Sequence, residues 1–270
     1  MRLIDAHCHL QAAPFADDAA EVLAAARSEG VVRVLVPGYD VASSIAARVM
    51  AIGGGVDASV GIHPHDSSAA DDEAWAAIED LARSADMVAL GETGLDYDRM
   101  FSPRDAQLAN LRRHLLLGRE LGKPVILHCR SKAGARDAQD DLLRELEAAG
   151  RPPALLHSFS GPVDYAERAL EMGMVISFSG LVFRKGEEAS AEVARLTPAD
   201  RLLVETDSPY LSPPGAPKRR NEPRWVSVTA AWLAQQRGGD LDALGETLVA
   251  NYDRAFSRPR NSSRPSASSR

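Results

Sequence analysis

Short runs of β-branched and other apolar residues recur along this chain, and each is followed by a stretch in which apolar residues return every three or four positions. Runs of the first kind predict buried strands, and stretches of the second kind predict amphipathic helices. Successive runs lie about 30 residues apart, which is the length of a strand–helix–strand unit with parallel strands. The eight runs are RLIDAHCH, VVRVLVPG, DASVGIHP, MVALGETG, PVILHCR, PALLHSFS, MVISFSG and RLLVETDSP.

Eight such units in about 250 residues predict an α/β fold, the (β/α)8 TIM barrel, as a single domain over residues 1–256 with its active site at the C-terminal ends of the strands. A doubly wound open sheet is the structural rival. Its nucleotide-binding form carries a glycine-rich turn after the first strand, and HCHLQAAP contains no glycine. The helix-like stretches fall at 17–29, 72–83, 103–121, 134–149 and 162–172.

Two segments stand outside this repeat. The proline-rich segment SPPGAPKRRNEP, residues 212–223, follows the eighth run and predicts an ordered loop on the strand-end face. Residues 257–270, SRPRNSSRPSASSR, are almost free of apolar side chains, so we expect a disordered tail rich in Ser, Arg and Pro.

Composition narrows the class of protein. No apolar run approaches the ~18 residues of a membrane span, and polar residues from Asp5 to His9 interrupt the region where a signal peptide is hydrophobic, so we expect a cytoplasmic protein without membrane contact. The net charge of −7 argues against a broadly positive surface that coats nucleic acid, although a local site stays possible. Cys8 and Cys129 are expected to be free thiols. Nothing in the sequence indicates an obligate protein partner.

Histidines gather where the predicted strands end. His7 and His9 are two residues apart on a strand, so both side chains project to one face. His114 alone falls within a predicted helix. The C-terminal ends of the strands are the face where barrels carry their chemistry. The strand-end histidines number six of the seven in the chain: His7, His9, His63, His65, His128 and His157.

Two carboxylates, Glu92 after the fourth run and Asp207 after the eighth, should reach the same face. Each residue alone has a commoner explanation, because a strand-end histidine is usually a hydrogen-bonded core or loop residue and a carboxylate is often a helix cap. A cap needs no histidines on neighbouring strands, however, and crowding four imidazoles and two carboxylates together is costly without cations. We therefore predict a dinuclear metal site made of His7, His9, Glu92, His128, His157 and Asp207.

The motifs DAHCHL, GIHPH, GETGLDY, ILHCR, HSFSG, ETDSPYL, KRRNEP and NYDRAF, in this order and spacing, resemble the TatD family of metal-dependent deoxyribonucleases over residues 2–256. The resemblance implies a barrel of the amidohydrolase-like superfamily that hydrolyses phosphodiester bonds, as a 3′-5′ exonuclease on single-stranded DNA ends. It also implies that Glu92 bridges two ions, one held by His7, His9 and Asp207 and the other by His128 and His157. Relatives outside the family often bridge their metals with a carboxylated lysine, and this chain has no lysine before Lys123.

Two ions about 4 Å apart can share a water molecule and lower its pKa towards ~7. Within that scheme Asp207 is expected to accept the proton of the water, and Glu92 to hold both ions. His63 lies outside the six ligands and is expected to bind the phosphate or to protonate the leaving group. The ions are two divalent metals, Mg²⁺, Mn²⁺ or Zn²⁺; imidazole ligands favour the latter two, whereas the resemblance suggests Mg²⁺.

Other residues that follow predicted strands are expected to contact the substrate: His63, His65, Arg130, Lys218, Arg219 and Arg220. Asp98 stands where family members often have a second tyrosine, and it would repel a phosphate if it faced the site. Tyr97, Phe159, Phe183 and Tyr210 could stack bases, although core packing is the commoner role of such side chains.

Two other functions stay open. The first is an ester or amide hydrolase, such as an aminoacyl-tRNA deacylase, because a metal-activated hydroxide attacks carbonyl and phosphoryl centres alike. The second is a non-enzymatic metal-binding or DNA-binding barrel. It would need closed coordination of the metals, whereas catalysis needs an open position.

Overall fold

The computed structural model describes residues 1–256, in which eight parallel strands form one sheet in the order β1 to β8. Each strand pairs with the next one along the chain. The strands are β1 (Leu3–Asp5), β2 (Val31–Pro37), β3 (Asp57–Val60), β4 (Met87–Asp96), β5 (Val125–Arg130), β6 (Ala154–Leu156), β7 (Val175–Phe178) and β8 (Leu202–Val204).

The sheet closes on itself where its first and last strands meet. The backbone N–H of Ala6 donates to Val204 O at 3.0 Å, and the N–H of Asp207 donates to His7 O at 2.9 Å. A parallel bridge between Cys8 and Ser208 continues this seam beyond the ends of both strands. The predicted (β/α)8 barrel is therefore confirmed, and closure brings residues about 200 positions apart in sequence into contact.

Helices follow the strands and pack on them through buried apolar residues. The third helix spans the same residues, 72–83, as the sequence predicts, with the Asp71 side chain capping its first turn. Within the described part of the chain the α-helices are α1 (Ala19–Ser28), α2 (Val41–Gly53), α3 (Asp72–Arg83), α4 (Arg104–Leu121), α5 (Asp137–Ala148), α6 (Val163–Glu171), α7 (Ser190–Leu196), α8 (Val226–Arg237) and α9 (Leu241–Ala255).

Strand β4 is the longest of the eight, and all ten of its residues are buried. It lies against β5 so closely at Gly94 that a Cβ there would overlap the backbone carbonyl of His128. Gly94 also has φ +138°, a conformation that side chains with a Cβ rarely adopt. The glycine therefore permits the close approach that brings His128 beside the end of β4.

The segment after β8 is an ordered loop, as predicted, and runs to a short 3-10 turn at Pro223–Trp225. Cys8 and Cys129 are both free, in agreement with the sequence analysis. Within residues 1–256 no helix combines the length and the apolar character needed to cross a bilayer. The proposed domain limits stay a prediction, and the tail predicted at 257–270 lies outside the described residues.

Candidate metal centre

A cavity of about 1280 Å³ opens at the C-terminal ends of the strands. Residues at or after the ends of all eight strands line it, so it receives side chains from segments that are far apart in sequence. The predicted ligands that line it are His9, Glu92, His128, His157 and Asp207, and the buried His7 lies directly beneath them. All six predicted ligands therefore meet at one place.

Glu92 lies at the middle of this group, and its two carboxylate oxygens face different neighbours. Oε2 is 3.2 Å from His7 Nε2 and 3.8 Å from His9 Nε2. Oε1 is 2.9 Å from His157 Nε2 and 3.2 Å from His128 Nδ1. The Glu92 backbone N–H donates to Gly38 O at 2.7 Å, which fixes the residue between the two sets of histidines.

The first group consists of His7, His9, Asp207 and Oε2 of Glu92. The two Nε2 atoms of His7 and His9 are 3.3 Å apart, and Asp207 Oδ1 is 3.8 Å and 3.4 Å from them. Four ligands at about 2.1 Å from one ion would be about 3.4 Å apart in a tetrahedron. The spacings of the two Nε2 atoms from each other and from both carboxylate oxygens therefore fit a transition-metal ion.

The second group consists of His128, His157 and Oε1 of Glu92, and two buried carboxylates orient its imidazoles. His157 Nδ1 is 3.0 Å from Glu205 Oε1, and His128 Nε2 is 3.3 Å from Asp96 Oδ2. A ring nitrogen that bonds to a carboxylate carries the proton, so the other nitrogen keeps its lone pair. The free lone pairs, on His157 Nε2 and His128 Nδ1, both face Glu92 and are 3.4 Å apart.

His63 is close to the second group, with its Nε2 3.3 Å from Glu92 Oε1. Distance alone would allow it as a ligand together with Glu92 and His128. Its Nδ1, however, accepts a hydrogen bond from the backbone N–H of His65 at 3.1 Å. A neutral His63 therefore carries its proton on Nε2, which makes it a hydrogen-bond donor to the cavity and not a metal ligand.

The electrostatics of the centre favour cations. Burial raises the pKa of Glu92, but the nearby imidazoles, His157 first, outweigh it and hold the pKa well below its usual range. Asp207 behaves in the same way, because its bond to His9 and the charges of the histidines lower its pKa more than burial raises it. Burial lowers the pKa of His7. Two ionised carboxylates thus stand among imidazoles, which offer lone pairs once they give up their protons, and this is the donor set that divalent transition metals prefer.

Sequence reasoning missed two carboxylates of this site, Asp96 and Glu205. Both stand inside the quoted motifs, in GETGLDY and ETDSPYL, so the signal was present. Asp96 also bonds to His65, whose Nε2 is 2.8 Å from Asp96 Oδ2. His65 lines the cavity, as predicted for a substrate contact, but this bond makes it part of the support of His128.

The predicted basic contacts separate into two sets. Arg130 lines the cavity and forms an ion pair with Asp98 at 2.8 Å, so Asp98 does face the site but is balanced by a neighbouring charge. Lys218 and Arg219 are exposed outside the residues that line the cavity. Arg220 turns to α1, where it bonds to both oxygens of Asp18 at 2.7 and 2.6 Å.

The fold and the donor set together define a metal-dependent hydrolase of the (β/α)8 barrel class. The chain belongs to the TatD family: the family model of the TatD related DNases matches residues 4–257. The resemblance seen in the sequence motifs is thereby confirmed.

Individual relatives agree with this assignment. The protein named 3'-5' ssDNA/RNA exonuclease TatD from Cronobacter sakazakii is 38% identical over 263 residues, which are 94% of this chain and 97% of that protein. An uncharacterized metal-dependent hydrolase, YabD of Bacillus subtilis, is 33% identical over 259 residues, 94% of this chain and 98% of its own length. The crystal structure of the TatD homolog YJJV from Escherichia coli superimposes with a TM-score of 0.83 at 27% identity, covering 96% of this chain and 99% of that one.

Proposed function

We propose that this protein is an exonuclease that uses two divalent metal ions to hydrolyse phosphodiester bonds at the 3′ end of single-stranded DNA. The observation that carries the proposal is the position of Glu92, whose two oxygens face two separate groups of ligand atoms. The relatives named as 3'-5' ssDNA/RNA exonucleases support the choice of substrate and polarity.

The predicted ligands fall into two groups of donor atoms, one for each ion, and Glu92 belongs to both groups. His7, His9 and Asp207 would hold one ion with Oε2 of Glu92, and His128 and His157 would hold the other with Oε1. When bound, such a pair of ions supplies an activated water and neutralises negative charge on the phosphoryl group. The imidazole-rich donor set favours Mn²⁺ or Zn²⁺ over Mg²⁺.

Asp207 is the proposed proton acceptor. Its Oδ1 faces His7 and His9, so Oδ2 is the oxygen left to take the proton from the attacking water. The residue has φ +53°, in the left-handed region that aspartate tolerates, and its backbone N–H is held by His7 O. The carboxylate therefore sits at a fixed position beside the other donor atoms, where it is ionised and able to accept a proton.

His63 is the proposed donor to a phosphate oxygen. The N–H of its Nε2 faces the cavity beside the second group of ligands, as the hydrogen bond on Nδ1 requires. A neutral imidazole donates a hydrogen bond to an anionic oxygen, which binds the substrate and orients it. Of the two roles expected for His63, this geometry favours phosphate binding over protonation of the leaving group.

Basic side chains at the cavity, together with two divalent ions, would attract an anionic chain, although the protein as a whole carries net charge −7. Contacts to phosphates position a nucleic acid without reading its sequence. A short row of such contacts fits an enzyme that grips one strand end. The cations that line the cavity are Arg99, Arg130, Lys132, Arg136 and Lys185.

The test is to strip the protein of metal, restore Mg²⁺, Mn²⁺ or Zn²⁺, and follow single-stranded DNA labelled at either end. We expect mononucleotides to be released from the 3′ end. Release from the 5′ end would contradict the polarity, and hydrolysis of aminoacyl-tRNA without cleavage of DNA would favour the ester-hydrolase alternative, since the same activated water attacks a carbonyl group.

The variant Glu92→Ala should bind fewer than two ions by elemental analysis and lose nearly all turnover, because it removes the ligand shared by both groups. It should stay folded by circular dichroism. The matched control is Glu120→Ala, which removes an exposed carboxylate paired with Arg83 on the outside of the barrel. Turnover by the Glu92 variant at the rate of the parent protein would refute the two-ion proposal.

A further inference from the structure

Two exposed aromatic rings stand at the mouth of the cavity. Phe101 is 66% exposed and Tyr210 is 59% exposed, and both line the cavity. Every other aromatic side chain of residues 1–256 is buried or half-buried. Tyr97, Phe159 and Phe183, which sequence reasoning grouped with Tyr210, belong to these covered side chains. Exposed rings placed only where the substrate must enter indicate a binding role more than a packing role.

The two rings stand on opposite sides of the metal centre. Phe101 follows β4 and Tyr210 follows β8, and strands four apart in an eight-stranded barrel lie across from each other. The Phe101 ring contacts the edge of His65, with centroids 4.7 Å apart, on the side of the second ligand group. The Tyr210 ring contacts His9 of the first group, with centroids 5.9 Å apart.

Both rings are carried by backbone that is held in place. Ser102, the neighbour of Phe101, donates from Oγ to His65 O at 2.7 Å, and its carbonyl accepts from Gln107 Nε2 at 2.8 Å. The buried Asn221 donates from Nδ2 to Tyr210 O at 2.8 Å. The rings can therefore present their faces to a ligand without first ordering a loop, which lowers the entropic cost of binding.

The chemistry between the rings selects the occupant. Five cationic side chains line the cavity beside six carboxylates, and the two proposed divalent ions would make the balance positive, so the loaded cavity favours a chain of anions. A polynucleotide with unpaired bases has this chemistry, since its phosphates are anionic and its flat bases are free to stack on aromatic rings. A base within a duplex is covered on both faces and cannot stack in this way. Building on the proposed exonuclease function, we propose that Phe101 and Tyr210 stack on the two unpaired bases that flank the scissile phosphate, one ring on each base. This stacking would select single strands.

The first test separates KM from kcat on single-stranded DNA. Phe101→Ala and Tyr210→Ala should each raise KM by about 10-fold with a smaller change in kcat, which is the range that loss of one stacked base gives. Phe101→Trp and Tyr210→Phe keep a ring and should restore KM. Leu116→Ala is the matched control, since Leu116 is 56% exposed but lies on α4 outside the cavity lining.

Abasic substrates identify the base that each ring contacts. A ring that stacks on one base has no partner once that base is absent, so the alanine variant and the parent protein should have equal KM on the matching abasic substrate. The matching position should differ between Phe101 and Tyr210. Unchanged KM in both variants, or an equal rise on every abasic substrate, would overturn the proposal.

A fluorescent base separates this inference from the proposed function. Oligonucleotides with 2-aminopurine at each of the last three 3′ positions should be quenched on mixing with the metal-loaded protein and should brighten as nucleotides are released. Quenching that both alanine variants reduce, without later release, would support stacking and contradict the exonuclease proposal. Release that neither variant alters would contradict stacking and leave the exonuclease proposal standing.

Discussion

Two buried carboxylates fix the orientation of the second ligand group. Glu205 accepts a hydrogen bond from His157 Nδ1, and Asp96 accepts one from His128 Nε2. By contrast, Nδ1 of His7 and Nδ1 of His9 are buried without a hydrogen-bond partner within the described residues. A carboxylate behind an imidazole fixes its tautomer and raises its basicity, so the two ions that we propose for these groups should bind with different strengths.

Glu205→Gln tests this difference. Glutamine keeps an acceptor for His157 Nδ1 but removes the charge, so we expect the affinity for the second ion to fall by about 10-fold to 100-fold. The first ion should be affected much less. Competition with a metal-sensitive chelator measures both affinities, and Glu120→Gln is the surface control. An equal loss at both ions, or none at either, would contradict the supporting role of Glu205.

His114 contributes to the site through the backbone. Its Nε2 accepts from Ile62 N at 3.2 Å and its Nδ1 donates to Asn110 O at 2.9 Å, while Asn110 Nδ2 donates to Ile62 O at 2.7 Å. Both backbone groups of Ile62 are thus held by α4, directly before His63. Burial lowers the pKa of His114 to about 4. Protonation of Nε2 would also replace the acceptor of the Ile62 N–H with a second donor.

The depressed pKa makes a prediction about stability. An unfolded histidine titrates near 6.5, so the contribution of neutral His114 is complete above that pH and is lost as the pH falls towards 4. The loss amounts to about 3 kcal/mol. Between pH 6.5 and 4 the parent protein should lose about 3 kcal/mol more of its free energy of unfolding than His114→Gln loses, as measured by urea denaturation. Parallel pH profiles would show that His114 does not titrate in this way.

The sequence could predict which residues reach the site when their position is fixed by the end of a strand alone. This was so for His7, Glu92 and Asp207. The partner of a side chain depends on barrel closure and on loop paths, which local pattern does not encode. Arg220 follows β8 as Asp207 does, yet the loop turns it to Asp18, 202 residues earlier in the chain.

At the scale of elements, β4 and β5 form the wall on which the centre depends. Glu92 and Asp96 come from β4, and His128 comes from β5. Their separation is set at Gly94, which leaves no room for a Cβ against the His128 backbone. Periodicity predicted both strands, but it could not predict this close approach, because the approach depends on the pairing of two segments.

Gly94→Ala should therefore disturb both stability and metal binding. The new methyl group meets backbone and not a flexible side chain, so the strands must separate, and we expect a loss of about 1–3 kcal/mol together with weaker binding of the second ion. Gly53→Ala at the end of α2 is the matched control, because nothing lies within 4 Å of its Cβ position. A Gly94 variant with unchanged unfolding and unchanged metal content would show that the strands can relax without cost.

At the scale of the whole molecule, the barrel has a large core that does not include the metal centre. Apolar side chains from strands and helices form one continuous buried cluster, whereas the ligands gather at one end of the barrel. The fold should therefore survive the loss of its ions. The ions should still add stability, because they bind the folded chain and the unfolded chain offers no assembled site.

A chelator should lower the melting temperature without unfolding the protein at room temperature. Metal at about 100 times its dissociation constant stabilises the folded state by about 2.7 kcal/mol, which corresponds to roughly 5–10 °C for a chain of this length. Differential scanning calorimetry across a metal titration should show this rise in the parent protein and a much smaller one in Glu92→Ala. Unfolding on chelation would mean that the ions belong to the core, and a metal-independent melting temperature would mean that no ion binds at this site.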